Sequence, residues 1–167
     1  MSDQFQFVAH WQTDLPEEGE AVVAFWLNEK AIADETQARR RLKEIVLHAR
    51  GADGEMAGVC TAVPVTLPRL GQPMYYYRCF IAPRWRKSRL ILYLFKRAYE
   101  LLEGHAKRNE YPCIGVLTEL ENTRFTEMGR IPVWPDINLV YIGKSQRGHD
   151  LRVRYFHGAR FKASPKT

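Results

Sequence analysis

The 167-residue sequence has few serines and no long apolar run, and each absence excludes a class of protein. Its only serines are Ser2, Ser88, Ser145 and Ser164, and none lies in the G-x-S-x-G pattern of serine hydrolases. Glycine-rich phosphate loops of the Walker or Rossmann type are absent as well. No apolar stretch approaches the roughly 20 residues that a membrane-spanning helix needs. We therefore expect no membrane association.

Cysteine and histidine are sparse and scattered. Cys60, Cys79 and Cys113 stand singly in apolar, strand-like segments without C-x-x-C spacing, which predicts buried, reduced thiols. No two histidines have the spacing of zinc ligands on a helix, so we expect no metal cofactor. The first residues lack the basic start and apolar core of a signal peptide, which favours a cytoplasmic protein. The length suits a single domain over residues 1–167, with the basic segment 144–167 the least clearly assigned part.

Charge is distributed unevenly along the chain. The net charge is +6, yet acids dominate residues 1–37, and residues 82–97 hold six cations and no acid. From Lys144 onward there are seven cations and one acid, Asp150. This asymmetry predicts an anionic partner on one face, although a solvated basic surface without a partner remains an alternative.

The hydrophobic pattern predicts a mixed α/β domain with one central sheet. Alternating or continuously apolar segments predict strands, and apolar residues at helical spacing from Ser88 onward predict a long amphipathic helix. The predicted strands are residues 5–11, 43–50, 55–67, 73–83, 113–120, 137–143 and 151–157. The other predicted helices are residues 17–32, 34–42 and 122–129.

The start of the long helix carries charge of an unusual sign. Four cations, Arg84, Arg86, Lys87 and Arg89, occupy the turn before the helix, where the helix dipole favours acids. A ligand with several negative charges would offset the repulsion, because helix N-termini and arginine side chains both bind phosphate oxygens. We therefore predict a pyrophosphate site here. The alternative is that the side chains point into water.

These motifs resemble the GNAT superfamily of acyl-CoA-dependent N-acyltransferases. Ile81, Pro83, Trp85 and Arg86 stand where the family has V-x-P-x-Y-R before its phosphate loop. "LTELENTRFTEMGRI" is similar to a second family feature, a strand followed by Asn122, a short helix and Gly129. The element order agrees over about residues 5–143.

The resemblance implies both a fold and an activity. The fold would be a mixed, mostly antiparallel sheet of about seven strands flanked by helices. The activity would be transfer of an acyl group from acetyl-CoA or another acyl-CoA to a primary amine, by direct attack in a ternary complex. The resemblance implies that the donor is bound by Phe80, Ile81, Ala82, Arg86, Lys87, Ser88, Arg89, Leu90 and Asn122.

The sequence also departs from the family pattern. Lys87, Arg89 and Ile91 stand where the family has glycines, so side-chain cations would replace part of the backbone contact with phosphate. Phe125 falls where many members place the tyrosine that protonates the leaving thiolate, and a phenyl ring cannot donate that proton. The tyrosines available instead are Tyr75, Tyr76, Tyr77 and Tyr141, and the sequence does not choose among them.

Two glutamates are the predicted catalytic residues. Glu119 and Glu121 end the strand 113–120, which the resemblance places near the acceptor amine. Strand alternation puts both side chains on one face, where either could act as a general base. Both could equally be solvated acids at the end of a strand.

Several other functions remain open. An acidic acyl carrier protein could replace acyl-CoA as donor, since some relatives use one, and the basic face could bind tRNA. The segment "LRVRYFHGARFKASPK" mixes arginine with aromatic residues, as in proteins that bind RNA. Alternation also predicts a solvated basic face carrying Arg152 and Arg154. A non-catalytic acyl-CoA-binding or RNA-binding module and a homodimer are further alternatives.

Overall fold

The computed structural model describes residues 4–121 and 128–163 of the chain. The strands within these residues are β1 Phe5–Ala9, β2 Ile45–Gly51, β3 Met56–Thr66, β4 Pro73–Ile81, β5 Gly115–Leu120, β6 Val140–Lys144 and β7 Asp150–Tyr155. The α-helices are α1 Pro16–Asn28, α2 Glu35–Leu42 and α3 Leu90–Arg108. Short 3₁₀ helices span Pro83–Trp85 and Met128–Arg130.

The strands form one seven-stranded sheet in the order β1-β2-β3-β4-β5-β7-β6. β4 and β5 pair in parallel, whereas the pairs β1–β2, β2–β3, β5–β7 and β6–β7 are antiparallel. The predicted fold, a mixed and mostly antiparallel sheet flanked by helices, is confirmed. The predicted helix 122–129 lies outside the described residues except at its end.

Backbone conformation explains where two helices begin and end. The first helix was predicted to continue to residue 32, but it ends at Asn28, because Lys30 has a φ of 57°. The long helix begins at Leu90 rather than Ser88, because Arg89 has a φ of 64°. Residues with positive φ leave the right-handed helical region, so they interrupt a helix whatever the apolar pattern predicts.

Contacts divide the chain into two compact units. Unit 1 contains the chain up to Ala62 together with Cys79–Leu102, and unit 2 contains Val63–Arg78 and the chain from Glu103 onward. Unit 1 has a core of apolar side chains from α1, α2, β2 and β3, centred on Val22, Trp26 and Val59. In unit 2 the equivalent core forms between β4, β5 and β7, around Met74, Leu117 and Val153. Burial of this apolar surface is the main stabilising term in each unit.

Unit 1 also buries a pair of histidines. His10 and His48 are 3% and 0% exposed, and His10 Nε2 lies 2.6 Å from His48 Nδ1. The other ring nitrogen of His48 is 3.0 Å from a carboxylate oxygen of Glu18, which Arg50 also contacts. Burial, and then the neighbouring His10, lower the pKa of His48 to about 4. The folded unit therefore holds His48 in its neutral form.

Unit 2 buries an arginine that was predicted to be solvated. Arg152 on β7 is 0% exposed, and its guanidinium donates to the carbonyl oxygens of Gly129, Pro132 and Leu139. The same group lies 4.4 Å from the centre of the Trp134 ring. The prediction of a solvated basic face is thus wrong for Arg152, because the loop before β6 covers it.

Arg154 is likewise engaged within unit 2. It is half-buried, and its guanidinium donates to the carbonyl oxygen of Ile137 at 3.2 Å. The arginines of β7 are thereby used to hold the preceding loop. They do not form the exposed basic strand on which the RNA-binding alternative depended.

The cysteines differ in their burial. Cys60, Cys79 and Cys113 are all free thiols, and Cys60 and Cys113 are buried as predicted. Cys79 is only partly buried, so the prediction is wrong for that residue. Across residues 4–121 and 128–163, no three metal-ligating side chains are arranged to hold a metal ion. In the same residues, no helix combines the length and the apolar character needed to cross a bilayer.

We expect the free energy of unfolding to fall as the pH is lowered from 7 towards 4. The pKa of His48 is 6.5 in the reference state and about 4 in the folded protein. The unfolded chain therefore takes up a proton first, and stability present above pH 6.5 is lost as the pH falls towards 4. The complete loss amounts to about 3 kcal/mol. Urea unfolding at a series of pH values measures it.

The matched variants for this experiment are His48→Gln and His157→Gln. His48→Gln should flatten the dependence of stability on pH between 7 and 4.5, whatever it does to stability at pH 7. His157 is an exposed histidine of unit 2, and its replacement should leave the slope unchanged. Equal slopes in both variants would contradict the assignment.

Candidate active site

The turn between β4 and α3 is anchored by Trp85. Its indole ring packs edge-on against Phe5, with ring centres 5.1 Å apart. It also covers Gly51, where an added Cβ would lie 2.5 Å from the indole. A side chain at position 51 would therefore displace the tryptophan. Trp85, which occupies the aromatic position of the sequence motif, therefore holds the turn against β1 and β2.

Arg84 and Arg86 at this turn are held by contacts within unit 1. Arg84 forms an exposed ion pair with Asp53 at 3.2 Å. Arg86 donates from Nε to the carbonyl oxygen of Ile81 at 3.1 Å, and its guanidinium lies 5.6 Å from the centre of the Phe80 ring. Arg86 thus ties the turn back to the end of β4 and leaves its terminal nitrogens for other contacts.

The backbone of the turn has the conformation that a glycine would favour. Arg89 has a φ of 64°, in the left-handed region, at one of the positions where the family has glycine. Ser88 Oγ donates to the carbonyl oxygen of Trp85 at 2.6 Å and lies 3.4 Å from the amide nitrogen of Leu90. The side chains of Lys87 and Arg89 are exposed, and the first turn of α3 carries no acid.

This arrangement suits an anionic group such as a pyrophosphate. A backbone turn of the glycine type and exposed cations at a helix start are features that bind phosphate. Among the other predicted donor-binding residues, Phe80 packs against Phe25, with ring centres 5.7 Å apart. The backbone N–H of Ala82 donates to Ala57 at 2.8 Å, so it is not free for a ligand. Asn122 and Phe125 lie outside the described residues.

Unit 2 contains a separate polar cluster around the predicted catalytic residue Glu119. Its Oε2 accepts a hydrogen bond from the Tyr76 hydroxyl at 3.1 Å. Its Oε1 lies 2.6 Å from Ser145 Oγ, 3.1 Å from His149 Nδ1 and 3.3 Å from Arg147 Nε. Four donors therefore surround one carboxylate, whose side chain is only 11% exposed.

These donors control the protonation of Glu119. Burial alone would raise the pKa of the carboxyl group, but the hydrogen bonds from Ser145, Arg147 and Tyr76 lower it to about 2. The group is therefore ionised at any physiological pH. Three of the four donors converge on Oε1 and one reaches Oε2, so the hydrogen bonds are concentrated on one oxygen of the carboxylate.

The β6–β7 turn brings three of the donors together. The amide nitrogen of Ser145 donates to the carbonyl oxygen of His149 at 2.8 Å, and that of His149 donates to Ser145 Oγ at 3.2 Å. Gly148 has a φ of 81°, which closes the turn at little cost only for glycine. Pairing of Glu119 with Leu151 in the β5–β7 register then sets the turn beside the carboxylate.

The second predicted catalytic residue, Glu121, lies at the exposed side of this cluster. Its side chain is 66% exposed and accepts from Arg147 at 2.7 Å. Arg147 thus contacts both predicted glutamates and brings them into one cluster.

The four tyrosines considered as proton donors differ in their surroundings. Tyr76 joins the cluster through Glu119, whereas Tyr75 and Tyr77 are buried. Burial, and then Cys113, raise the pKa of Tyr75 to about 12. Tyr141 contacts the guanidinium of Arg152 instead.

Sequence reasoning missed Ser145, Arg147 and His149 as site residues. The segment "SQRGH" has the look of an ordinary polar hairpin turn. A histidine and a serine four residues apart across a glycine were the available signal. This spacing indicates a site only when the structure shows that the turn contacts the carboxylate of Glu119.

The cluster is not a serine-nucleophile triad, although it contains serine, histidine and an acid. The Ser145 hydroxyl donates its hydrogen to Glu119 and accepts one from the backbone of His149. In a triad the serine instead gives its proton to the histidine. Ser145 therefore serves to hold the carboxylate and the turn.

Comparisons with known proteins place the fold. No protein-family model matches the sequence, and no curated protein matches it either. Solved structures do match. A GNAT-family acetyltransferase from Streptococcus pneumoniae superposes with a TM-score of 0.63 at 13% identity, covering 91% of this chain and 99% of that one. A ribosomal-protein-S5-alanine acetyltransferase from Vibrio fischeri gives 0.60 at 7% identity, covering 96% of each chain.

A third match extends this result to another organism. A GCN5-related N-acetyltransferase from Kribbella flavida superposes with a TM-score of 0.60 at 13% identity, covering 93% of this chain and all of that one (100%). The three structures agree with this chain over nearly its whole length. The resemblance expected from the sequence motifs is therefore confirmed at the level of the fold.

Replacing Arg89 tests the conformation of the turn. We expect Arg89→Gly to be more stable than Arg89→Ala by about 1 kcal/mol, because a left-handed residue other than glycine costs roughly that much. Both variants remove the same side chain and charge, so the difference reports the backbone alone. Urea unfolding measures it. An alanine variant as stable as the glycine variant would show that position 89 is not held at positive φ.

Proposed function

We propose that this chain, which has the GNAT fold, is an N-acyltransferase that transfers an acyl group from acyl-CoA to a primary amine. The observation that carries the proposal is the turn before α3. It combines positive φ at Arg89 with cations at the helix start that face solvent. Arg89 adopts a backbone conformation that usually requires glycine. Such a conformation is expected where the backbone must approach a phosphate closely.

The donor would be held mainly by unit 1. The turn formed by Arg86, Lys87, Ser88, Arg89 and Leu90 would bind the pyrophosphate of the CoA moiety, chiefly through its exposed cationic side chains. The backbone at Phe80 and Ile81 would bind the pantetheine arm, as the family resemblance implies. When bound, acyl-CoA supplies a thioester carbonyl that is activated for attack by an amine. The exposed cations compensate for the missing glycines, since arginine contacts phosphate at two points.

The acceptor amine would be attracted by the carboxylates of Glu119 and Glu121. A primary amine arrives protonated at neutral pH, and the exposed carboxylate of Glu121 attracts such a cation. Glu119 adds a second negative charge that persists because its pKa is about 2. The two carboxylates outnumber the one guanidinium, that of Arg147, which pairs with both, so the cluster keeps an anionic character that suits an ammonium group.

Calorimetric titration with acetyl-CoA tests donor binding. We expect micromolar affinity in the wild type. The double variant Lys87→Ala, Arg89→Gly should bind roughly 10- to 100-fold more weakly, because it loses charge-assisted contacts to phosphate. Glycine at position 89 preserves the backbone turn while it removes the cation. Titration with free CoA should show the same loss, because the affected contacts are made to the pyrophosphate.

The matched control is the double variant Arg40→Ala, Lys43→Ala. It removes the same net charge from exposed positions at the end of α2, far along the chain from the turn. Its affinity for acetyl-CoA should stay close to that of the wild type. Equal weakening in both double variants would point to non-specific attraction. Absence of binding to acetyl-CoA, longer acyl-CoAs and free CoA would overturn the proposed function.

A further inference from the structure

We propose that His149, oriented by Glu119, is the general base that takes the proton from the acceptor amine. The inference rests on the proposed function and assigns its proton transfer to a residue outside the two predicted glutamates. It starts from the contact between His149 Nδ1 and Glu119 Oε1 at 3.1 Å. The side chain of His149 is 28% exposed, against 11% for Glu119, so the imidazole is the member of the pair that solvent and substrate can reach.

The contact determines which nitrogen of His149 is basic. An ionised carboxylate can only accept hydrogen bonds, so the hydrogen between the two groups must be on Nδ1. In a neutral imidazole the other nitrogen then carries the free lone pair. Within the part of the chain that the structure describes, no hydrogen bond to Nε2 is formed. Nε2 is therefore a proton acceptor that is available to a ligand.

Glu119 is itself poorly placed to act as the base. Its Oε1 already receives three donors and has no lone pair left for a substrate proton, and its Oε2 accepts from the Tyr76 hydroxyl. A group with a pKa of about 2 is also a weak proton acceptor at neutral pH. Its negative charge is better suited to stabilise the imidazolium that forms when His149 takes up a proton. Glu119 is thus a positioning residue, and His149 is the catalytic one.

The turn fixes the direction of the imidazole. Backbone hydrogen bonds between Ser145 and His149 close the turn, and the Ser145 hydroxyl bridges the turn to Glu119. The charged and titratable groups around His149 are Glu119 from β5, Tyr76 from β4 through that carboxylate, and Arg147 within the turn. Arg147 also bridges to Glu121. An ordinary surface turn has no need for this number of side-chain contacts to one buried acid.

The transfer can be written with its protons balanced. His149 Nε2 takes one proton from the acceptor ammonium, and the resulting neutral amine attacks the thioester carbonyl carbon. A C–N bond forms, the C–S bond breaks, and its electron pair leaves on sulfur. The second amine proton passes to that thiolate to give CoA thiol. His149 then returns its proton to water, and the enzyme is restored.

Steady-state kinetics test the base directly. Acetyl-CoA is the donor, and the release of CoA thiol is measured. The acceptors tested are a diamine, a polyamine, and peptides with a free N-terminus or a lysine. We expect His149→Ala to lower kcat about 10²- to 10⁴-fold with little change in KM for acetyl-CoA. The acid limb of the pH profile should disappear, and added imidazole should restore part of the rate. His157→Ala, the matched control at an exposed histidine, should retain both the rate and the limb.

A second measurement separates catalysis from folding. Two-dimensional ¹⁵N NMR of the histidine side chains reports which ring nitrogen carries the hydrogen. We expect the Nδ1–H form at His149 in the wild type and a mixture of both forms in Glu119→Gln. Glu119→Gln should also lower kcat while acetyl-CoA binding measured by calorimetry persists. An Nε2–H form in the wild type would overturn the inference even before an acceptor is found.

The outcomes distinguish the two proposals. An active wild type together with a fully active His149→Ala variant that keeps the acid limb would overturn the base and leave the acyltransferase in place. Donor binding without transfer to any amine of the panel would overturn the proposed activity and the base with it. A large loss of kcat in His149→Gln as well as His149→Ala, with imidazole rescue of the alanine variant alone, would establish the base.

Discussion

The ionised carboxylate of Glu119 is the group on which the polar part of unit 2 depends. A charge that is 11% exposed is costly unless hydrogen bonds replace the water it has lost. Tyr76 supplies one such bond from β4, and the β6–β7 turn supplies the others through Ser145, Arg147 and His149. One largely desolvated charge thus holds two strands and a turn together, and it fixes the imidazole of His149 through Nδ1.

Unit 1 meets a different constraint at the start of α3. Close approach of a phosphate needs a compact turn, which glycines provide at little conformational cost. This chain keeps a left-handed residue at position 89 but places an arginine there, with Lys87 exposed nearby. The left-handed conformation of Arg89 costs about 1 kcal/mol. The positive charges of Lys87 and Arg89 offset this cost when they bind an anion. Trp85 holds the turn by packing against Phe5 and Gly51. Arg86 holds it by a hydrogen bond to the carbonyl oxygen of Ile81.

The features that could be predicted from the sequence are those that depend on residues close together in the chain. Apolar periodicity found α3, the central strands and the order of most elements along the chain. The pairing of Glu119 with His149 could not be predicted, because it depends on the β5–β7 register and on the closure of a turn around Gly148. Arg152 was assigned to solvent for a similar reason. Alternation identifies a polar face, but only the tertiary structure shows that the loop before β6 covers it.

Burial of a titratable group has opposite consequences in the two units. In unit 1 the dominant effect on His48 is desolvation, which lowers its pKa to about 4, so the folded state holds the ring neutral. In unit 2 hydrogen bonds outweigh desolvation at Glu119, and the folded state holds the carboxylate charged. Mild acid therefore protonates the unfolded form of His48 well before it discharges Glu119. A loss of activity between pH 7 and 5 that reverses without unfolding must then come from a group that titrates in that range and faces solvent. Glu119 and the buried His48 are both excluded on these grounds, because the carboxylate stays charged and the His48 ring stays neutral over that range.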